Sequence, residues 1–154
     1  PIFLAAAIEN RQVAAIAKKE LFDIKPLAYI LKKLNVIPIN REKPDISTIK
    51  NILKAIKDGY VLGIFPEGTR SKNGNILGDF KGGSFKSATK AKAPIVPVAL
   101  IDSFKPFDIK DTSEVDVQIH YLEPLYYDDY KDLTTVEIAK TVKERIEAKI
   151  KECV

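Results

Sequence analysis

Residues 60–71 read Tyr60-Val61-Leu62-Gly63-Ile64-Phe65, then Pro66-Glu67-Gly68-Thr69-Arg70-Ser71 (YVLGIFPEGTRS). The first half has the length and apolar character of a buried strand. The second half packs a carboxylate, a glycine, two hydroxyls and a guanidinium into a turn that an ordinary reversal would not need. In open α/β sheets, ligands meet the carboxyl ends of the strands. Reading Tyr60 to Phe65 as a strand of such a sheet therefore makes Glu67 to Arg70 a candidate site.

Working outward, strand-like and helix-like segments alternate. Upstream, Asp45 is placed to cap a helix running to Lys57, with Ile46, Ile49, Leu53 and Ile56 on one face and Gly59 ending it. Val36 to Ile39 is strand-like, and Pro38 within it points to an edge or bulge position. Lys19 to Leu34 carries an approximately helical apolar stripe bent near Pro26, preceded by the short apolar run Gln12 to Ala17. Downstream, Ser71 to Gly83 has four glycines and reads as a loop, Ser84 to Ala93 as a helix and Ile95 to Ile101 as a strand. Val115 to Leu122 alternates apolar and polar residues, as a half-buried strand does. Thr134 to Val154 is a charged amphipathic helix that opens on the capping-box pattern Thr-Thr-Val-Glu. Such alternation predicts an α/β fold: one domain, a mostly parallel sheet and flanking helices.

Composition bounds the function. A chain of 154 residues that is 45% hydrophobic builds a core without staples. One cysteine, Cys153, and one histidine, His120, leave no donor set for a structural zinc site and no internal disulfide, which fits a reducing compartment. The net charge of +4 suits an anionic substrate or membrane face and is too small to point to nucleic acid. No apolar run approaches the ~20 residues that span a bilayer. No strand is followed by a glycine-rich nucleotide cradle of the GxGxxG or GxxxxGK[ST] type.

Two further clusters join the first. Asn40-Arg41 follows Val36 to Ile39, so arginines at two strand ends, Arg41 and Arg70, are placed to converge on one phosphate or carboxylate. Phe80-Lys81-Gly82-Gly83 adds a cation and two glycines before a helix start. The residues alone leave two readings open: an anion site, or a structural Glu67–Arg70 ion pair closing a loop. Lys19 to Asn35 also reads two ways. Its Leu21, Phe22, Leu27, Tyr29, Ile30 and Leu31 beside Lys25, Lys32 and Lys33 suit an interfacial helix on an anionic leaflet, or a core helix with a lysine-rich solvent face.

Taken in order, FPEGTRS, then FKGG, then APIVPVAL, with AKKEL (Ala17 to Leu21) and the arginine after VIPIN upstream, the chain resembles the 1-acylglycerol-3-phosphate (lysophosphatidic acid) acyltransferase family. The likeness runs from about Pro1 to Leu125. It implies a glycerolphosphate-acyltransferase-like fold and transfer of a fatty acyl chain from a thioester to the free hydroxyl of 1-acylglycerol 3-phosphate, giving phosphatidic acid. Glycerol 3-phosphate or another lysophospholipid as acceptor, or a non-catalytic lipid-phosphate-binding module, are the alternatives. By the same resemblance, Arg41 and Arg70 hold the acceptor's phosphate with Lys81 nearby, and Glu67, Gly68 and Thr69 line its glycerol portion. Lys18 lies near the reaction centre, and Pro97 shapes the site from a neighbouring strand unless it merely punctuates that strand. No metal or cofactor is implied; the donor is acyl-CoA or acyl-carrier protein, and the partners are lysophosphatidic acid and a membrane surface.

The family's general base is a histidine with an aspartate five positions on, and no such pair occurs here. His120 is followed by Pro124 and Leu125 at the relevant spacing and comes after every other motif, so it reads as an ordinary half-buried or surface histidine. The resemblance therefore puts the catalytic His and Asp just upstream of Pro1, and the 154 residues are expected to be an acyltransferase domain lacking that N-terminal part. Asn40 also departs from the family, which often has an acidic residue before the arginine. The expected location is the cytoplasmic face of a membrane, peripheral or anchored by a segment upstream of Pro1.

Overall fold

The computed structural model describes residues 8, 11–40, 46–69, 71, 73–108 and 115–154. Two compact units divide the chain, Pro1–Ile64 and Phe65–Val154. The fold class is α/β, as the alternation of segments predicts.

Among the described residues, the first unit is built on three parallel strands in the order β2-β1-β3: β1 (Val13–Lys18), β2 (Ile37–Ile39) and β3 (Val61–Gly63). The registers Ile16↔Ile37 and Ala14↔Leu62 place β1 in the centre, where Ala14 is buried. Pro38 sits on β2, an edge strand among those described, which is where a residue without an N–H is tolerated. The stretch expected as one bent helix is two pieces, a 3-10 turn (Lys19–Phe22) and α1 (Lys25–Lys33). Pro26 stands in the first turn of α1, where a helix asks for no N–H, so the proline starts a helix instead of bending one.

Helix α2 (Ile46–Lys57) returns the chain to β3. Its buried centre is Thr48 and Ile52, while Ile46, expected on the apolar stripe, is 74% exposed at the first turn. Both helices end in the same way. Val36 N–H donates to Leu31 O with Asn35 at φ 52°, and Tyr60 N–H donates to Ala55 O with Gly59 at φ 87°. The left-handed residue lets the last carbonyls find donors while the chain swings into the next strand. The expected Asp45 cap lies outside the described residues.

The second unit begins at the polar turn. After it come a 3-10 turn (Gly82–Phe85), α3 (Lys86–Ala91), β4 (Val98–Ile101), the single turn α4 (Lys105–Asp108), β5 (Gln118–Tyr121), the single turn α5 (Tyr127–Tyr130) and the long α6 (Thr135–Cys153). Strands β4 and β5 pair antiparallel, with Ala99 opposite His120. Antiparallel neighbours need no long crossover helix, and α4 is the only helix described between them.

The core of this unit is Phe85, Ala99, Ile101, Leu125, Tyr130 and one face of α6: Ile138, Ala139, Val142, Ile146 and Ile150. Each fully buried Ile or Val there contributes about 1.5–3 kcal/mol relative to exposure. Thr134 and Glu137 form the capping box expected for α6, with Thr134 Oγ1 accepting from Glu137 N–H and Glu137 Oε2 accepting from Thr134 N–H at 2.7 Å. Among the described residues, no helix is long and apolar enough to cross a membrane.

Candidate functional site

The candidate site starts where the second unit starts. Phe65, Pro66, Glu67 and Gly68 form a turn closed by Gly68 N–H to Phe65 O at 3.0 Å. Gly68 has φ 69°, a left-handed conformation that L side chains rarely adopt. The absent side chain matters a second time. A Cβ on Gly68 would stand 3.3 Å from Lys81 Nζ, so the ammonium group lies directly over the glycine. Lys81 is brought there by its own backbone, whose N–H donates to Pro66 O at 3.0 Å.

Glu67 reaches the other way. Its Oε2 accepts the Gly78 N–H at 2.8 Å, tying the turn to the far side of the following loop. Within that loop, Ser71 Oγ donates to Ile76 O at 3.0 Å and accepts from Asn73 N–H at 3.2 Å. These bonds frame an open cleft of about 220 Å³ lined by Glu67, Thr69, Ser71, Asn73, Ile76, Leu77 and Gly78. The mixed lining suits a ligand that has both polar and apolar parts.

The residues expected at the site are distributed as follows. Glu67, Gly68, Thr69 and Lys81 come together in the second unit. Arg41 and Arg70 lie outside the described residues, as does any Glu67–Arg70 ion pair. Lys18 is the exposed last residue of β1, in register with Ile39 in the first unit. Pro97 is buried just before β4, its carbonyl accepting from Leu122 N–H at 3.0 Å, and it is not among the residues lining the cleft.

The glycine pair after Lys81 has a packing explanation. A Cβ on Gly82 would meet the Thr135 backbone at 3.2 Å, so this glycine lets the chain pass close under the start of α6. The helix that follows is a four-residue 3-10 turn running into six residues of α3, too short to focus an anion by itself. His120 lies on β5 with its Nε2 at 3.0 Å from Gln118 Oε1 and 3.7 Å from Cys153 Sγ, a half-buried histidine with no carboxylate beside it in these contacts. Sequence reasoning passed over Ser71, Asn73, Ile76, Leu77 and Gly78; the turn signal Asn73-Gly74 was the available hint that this loop folds back on the motif.

The acyltransferase family model matches residues 1–101, which include the polar turn, the cleft loop and Lys81. The chain belongs to the acyltransferase family. It is 34% identical over 151 residues to the 1-acyl-sn-glycerol-3-phosphate acyltransferase of Bacillus subtilis, covering 98% of this chain and 73% of that protein. It is 33% identical to the enzyme of the same name from Streptococcus pneumoniae, covering 96% of this chain and 53% of that one. Among solved structures, the acyltransferase PlsC of Thermotoga maritima, a 1-acyl-sn-glycerophosphate (LPA) acyltransferase, superposes with a TM-score of 0.73 at 25% identity. That match spans 92% of this chain and 57% of PlsC. The chain thus corresponds to between about half and three quarters of the length of these acyltransferases.

Proposed function

We propose that this chain carries the acceptor site of a 1-acylglycerol-3-phosphate acyltransferase, which joins a fatty acyl group to lysophosphatidic acid and yields phosphatidic acid. The observation that carries the proposal is Lys81 Nζ poised over Gly68 beside the cleft. At that place the ammonium supplies a charge-assisted hydrogen bond to a phosphate oxygen. On the family resemblance, Arg41 and Arg70 are the further residues assigned to the acceptor's phosphate. Thr69 lines the path of the glycerol, Glu67 orients its hydroxyl, and Ile76 and Leu77 receive the first carbons of the acceptor's acyl chain.

Anchoring the phosphate fixes where the hydroxyl sits, and holding reactants in register is worth several orders of magnitude in rate. The hydroxyl oxygen attacks the thioester carbonyl carbon, the C–O bond forms, the C–S bond breaks, and the thiol leaves with a proton. The base that takes the hydroxyl proton is, on the family resemblance, a His-Asp pair, and these 154 residues hold no such spacing. The contacts of His120 with Gln118 and Cys153 support keeping it out of that role. The donor is acyl-CoA or acyl-carrier protein.

The site works at the cytoplasmic face of a membrane, and α1 is the surface that meets it. No residue of α1 is buried, and Leu21, Ile24, Tyr29, Ile30 and Leu34 are exposed next to Lys25, Lys32 and Lys33. That combination favours an anionic leaflet over bulk water.

The test is transfer of a labelled acyl group by the complete protein to lysophosphatidic acid and, separately, to glycerol 3-phosphate. Preference for lysophosphatidic acid, with an acceptor KM raised at least tenfold by Arg70→Ala and by Lys81→Ala in folded protein, supports the proposal. Preference for glycerol 3-phosphate reassigns the acceptor, and tight lysophosphatidic acid binding without turnover makes the chain a lipid-phosphate reader.

A further inference from the structure

The wall of the cleft formed by residues 73–78 is fastened from behind by residues that play no part in the chemistry above. Asn75 Nδ2–H donates to Asp102 Oδ1 at 3.0 Å, and Asn75 Oδ1 accepts the Asp102 backbone N–H at 2.9 Å. The side-chain amide thus behaves like one rung of a strand ladder. The second carboxylate oxygen of Asp102 accepts from Lys105 Nζ at 2.8 Å. Asp102 itself stands just past β4 with φ 59°, a left-handed conformation that aspartate tolerates better than most residues. Beside this pair, Gly74 turns at φ 62° under the Phe104 ring, whose Cζ would lie 3.3 Å from a Cβ there.

We propose that Asn75 and Asp102 are positioning residues for the acceptor, holding the 73–78 wall at the distance from Thr69 and Glu67 that a lysophospholipid headgroup requires; this rests on the acceptor reading given above. Gly78 N–H meets Glu67 at the front of the wall and Asn75 meets Asp102, just past β4, at its back, so the loop is held from both sides. The Lys105 and Asn75 hydrogen bonds also hold the Asp102 carboxyl below the usual carboxylate range, so it stays an acceptor at neutral pH.

The experiment compares Asn75→Ala, Asn75→Asp, Asp102→Asn and the double swap Asn75→Asp/Asp102→Asn in the complete protein, reading KM for lysophosphatidic acid, KM for the acyl donor, and kcat. Asn75→Ala is expected to raise the acceptor KM by about tenfold, the size of one charge-assisted hydrogen bond, with donor KM and kcat within about twofold. Asn75→Asp sets two carboxylates against each other and should be at least as poor. The swap restores an amide opposite a carboxylate and should recover most of the loss, which a change acting only on overall stability would not do. An unchanged acceptor KM in Asn75→Ala, or a folded double swap no better than Asn75→Asp, overturns the proposal. If the unmodified protein transfers no acyl group, the acceptor reading fails separately. The fastening is then decided by hydrogen exchange at the Gly78 amide, which is faster in Asn75→Ala if the pair holds the loop and unchanged if it does not.

Discussion

The Gly78 backbone N–H donates to Glu67 Oε2 across 2.8 Å, joining the first residue after Pro66 in the polar turn to the far side of the loop that follows. A Cβ on Gly78 would stand at that same 2.8 Å from Oε2, closer than real contacts allow. Gly78→Ala should therefore displace the Glu67 carboxylate while leaving the core alone, because the obstructing atom is the end of a flexible side chain. The expected outcome is a melting temperature within a few degrees of the unmodified protein and an acceptor KM raised by about tenfold, as for loss of one hydrogen bond to a charged group. Steady-state kinetics beside a thermal melt checks both halves.

Gly68→Ala combines two penalties at a neighbouring position. It forces a side chain into a left-handed conformation, at about 1–2 kcal/mol, and pushes Lys81 Nζ off its perch. Lys81→Ala removes the ammonium without the backbone strain. Gly68→Ala should thus lower both urea stability and acceptor affinity, whereas Lys81→Ala should lower affinity alone. Loss of stability in Lys81→Ala of the same size as in Gly68→Ala would make the lysine part of the scaffold.

Tyr130 is completely buried, and its hydroxyl donates to Ala93 O at 2.7 Å and lies 3.2 Å from Ala88 O, at the end of α3. Tyr130→Phe keeps the ring and takes the hydroxyl donor from the Ala93 carbonyl, which should cost about 1–3 kcal/mol in urea unfolding. Burial pushes the phenol pKa up, so the neutral form is favoured in the folded state. Its contribution is fully present below the ordinary tyrosine value of 10.0 and is lost as pH rises beyond that toward the folded value. Alkaline unfolding monitored by circular dichroism should begin later in Tyr130→Phe, relative to its own neutral-pH stability.

Thr134→Ala deletes the N-cap of α6 and should destabilise the second unit by about 1 kcal/mol. The Thr134 hydroxyl and backbone hold the Glu137 carboxyl below its ordinary range. A lowered carboxylate pKa contributes stability above the unfolded value of 4.5 that is lost as pH falls through the folded value. Acid titration of stability should accordingly be shallower in Glu137→Gln than in the unmodified protein.

Ile30 is half-exposed on α1 among the lysines. Ile30→Glu should weaken sedimentation with anionic phospholipid vesicles severalfold and leave fluorescence-monitored stability nearly unchanged, since no residue of α1 is buried. Equal binding of both proteins to the vesicles would remove α1 from the membrane contact.

The elements that were legible in the sequence are those whose cause is local. The Thr-Thr-Val-Glu capping box, Gly59 at the end of α2, and Pro38 on an edge strand each follow from one residue's backbone preference. The Phe65-to-Ser71 motif was legible for the same reason, as a strand end followed by dense polar chemistry. Elements that depend on distant partners were not. Thr48 and Ile52, not Ile46, face inward on α2 because packing, and not spacing alone, chooses the buried face. The one-turn helix holding Tyr130 carries too few residues for a periodic signal.

By itself, the amino-acid sequence determined the alternation of strands and helices, the caps that bound them, and the order of motifs that marks an acyltransferase. Those depend on near neighbours along the chain, whose sterics and hydrogen bonds act before any core exists. Only the tertiary structure decided that Lys81 stands over Gly68, that Gly78 meets Glu67, that Asn75 is tied to Asp102, and that β4 and β5 run in opposite directions. Each of these joins groups well separated along the chain, and such contacts form only when core burial makes up for the entropy of closing the loop between them.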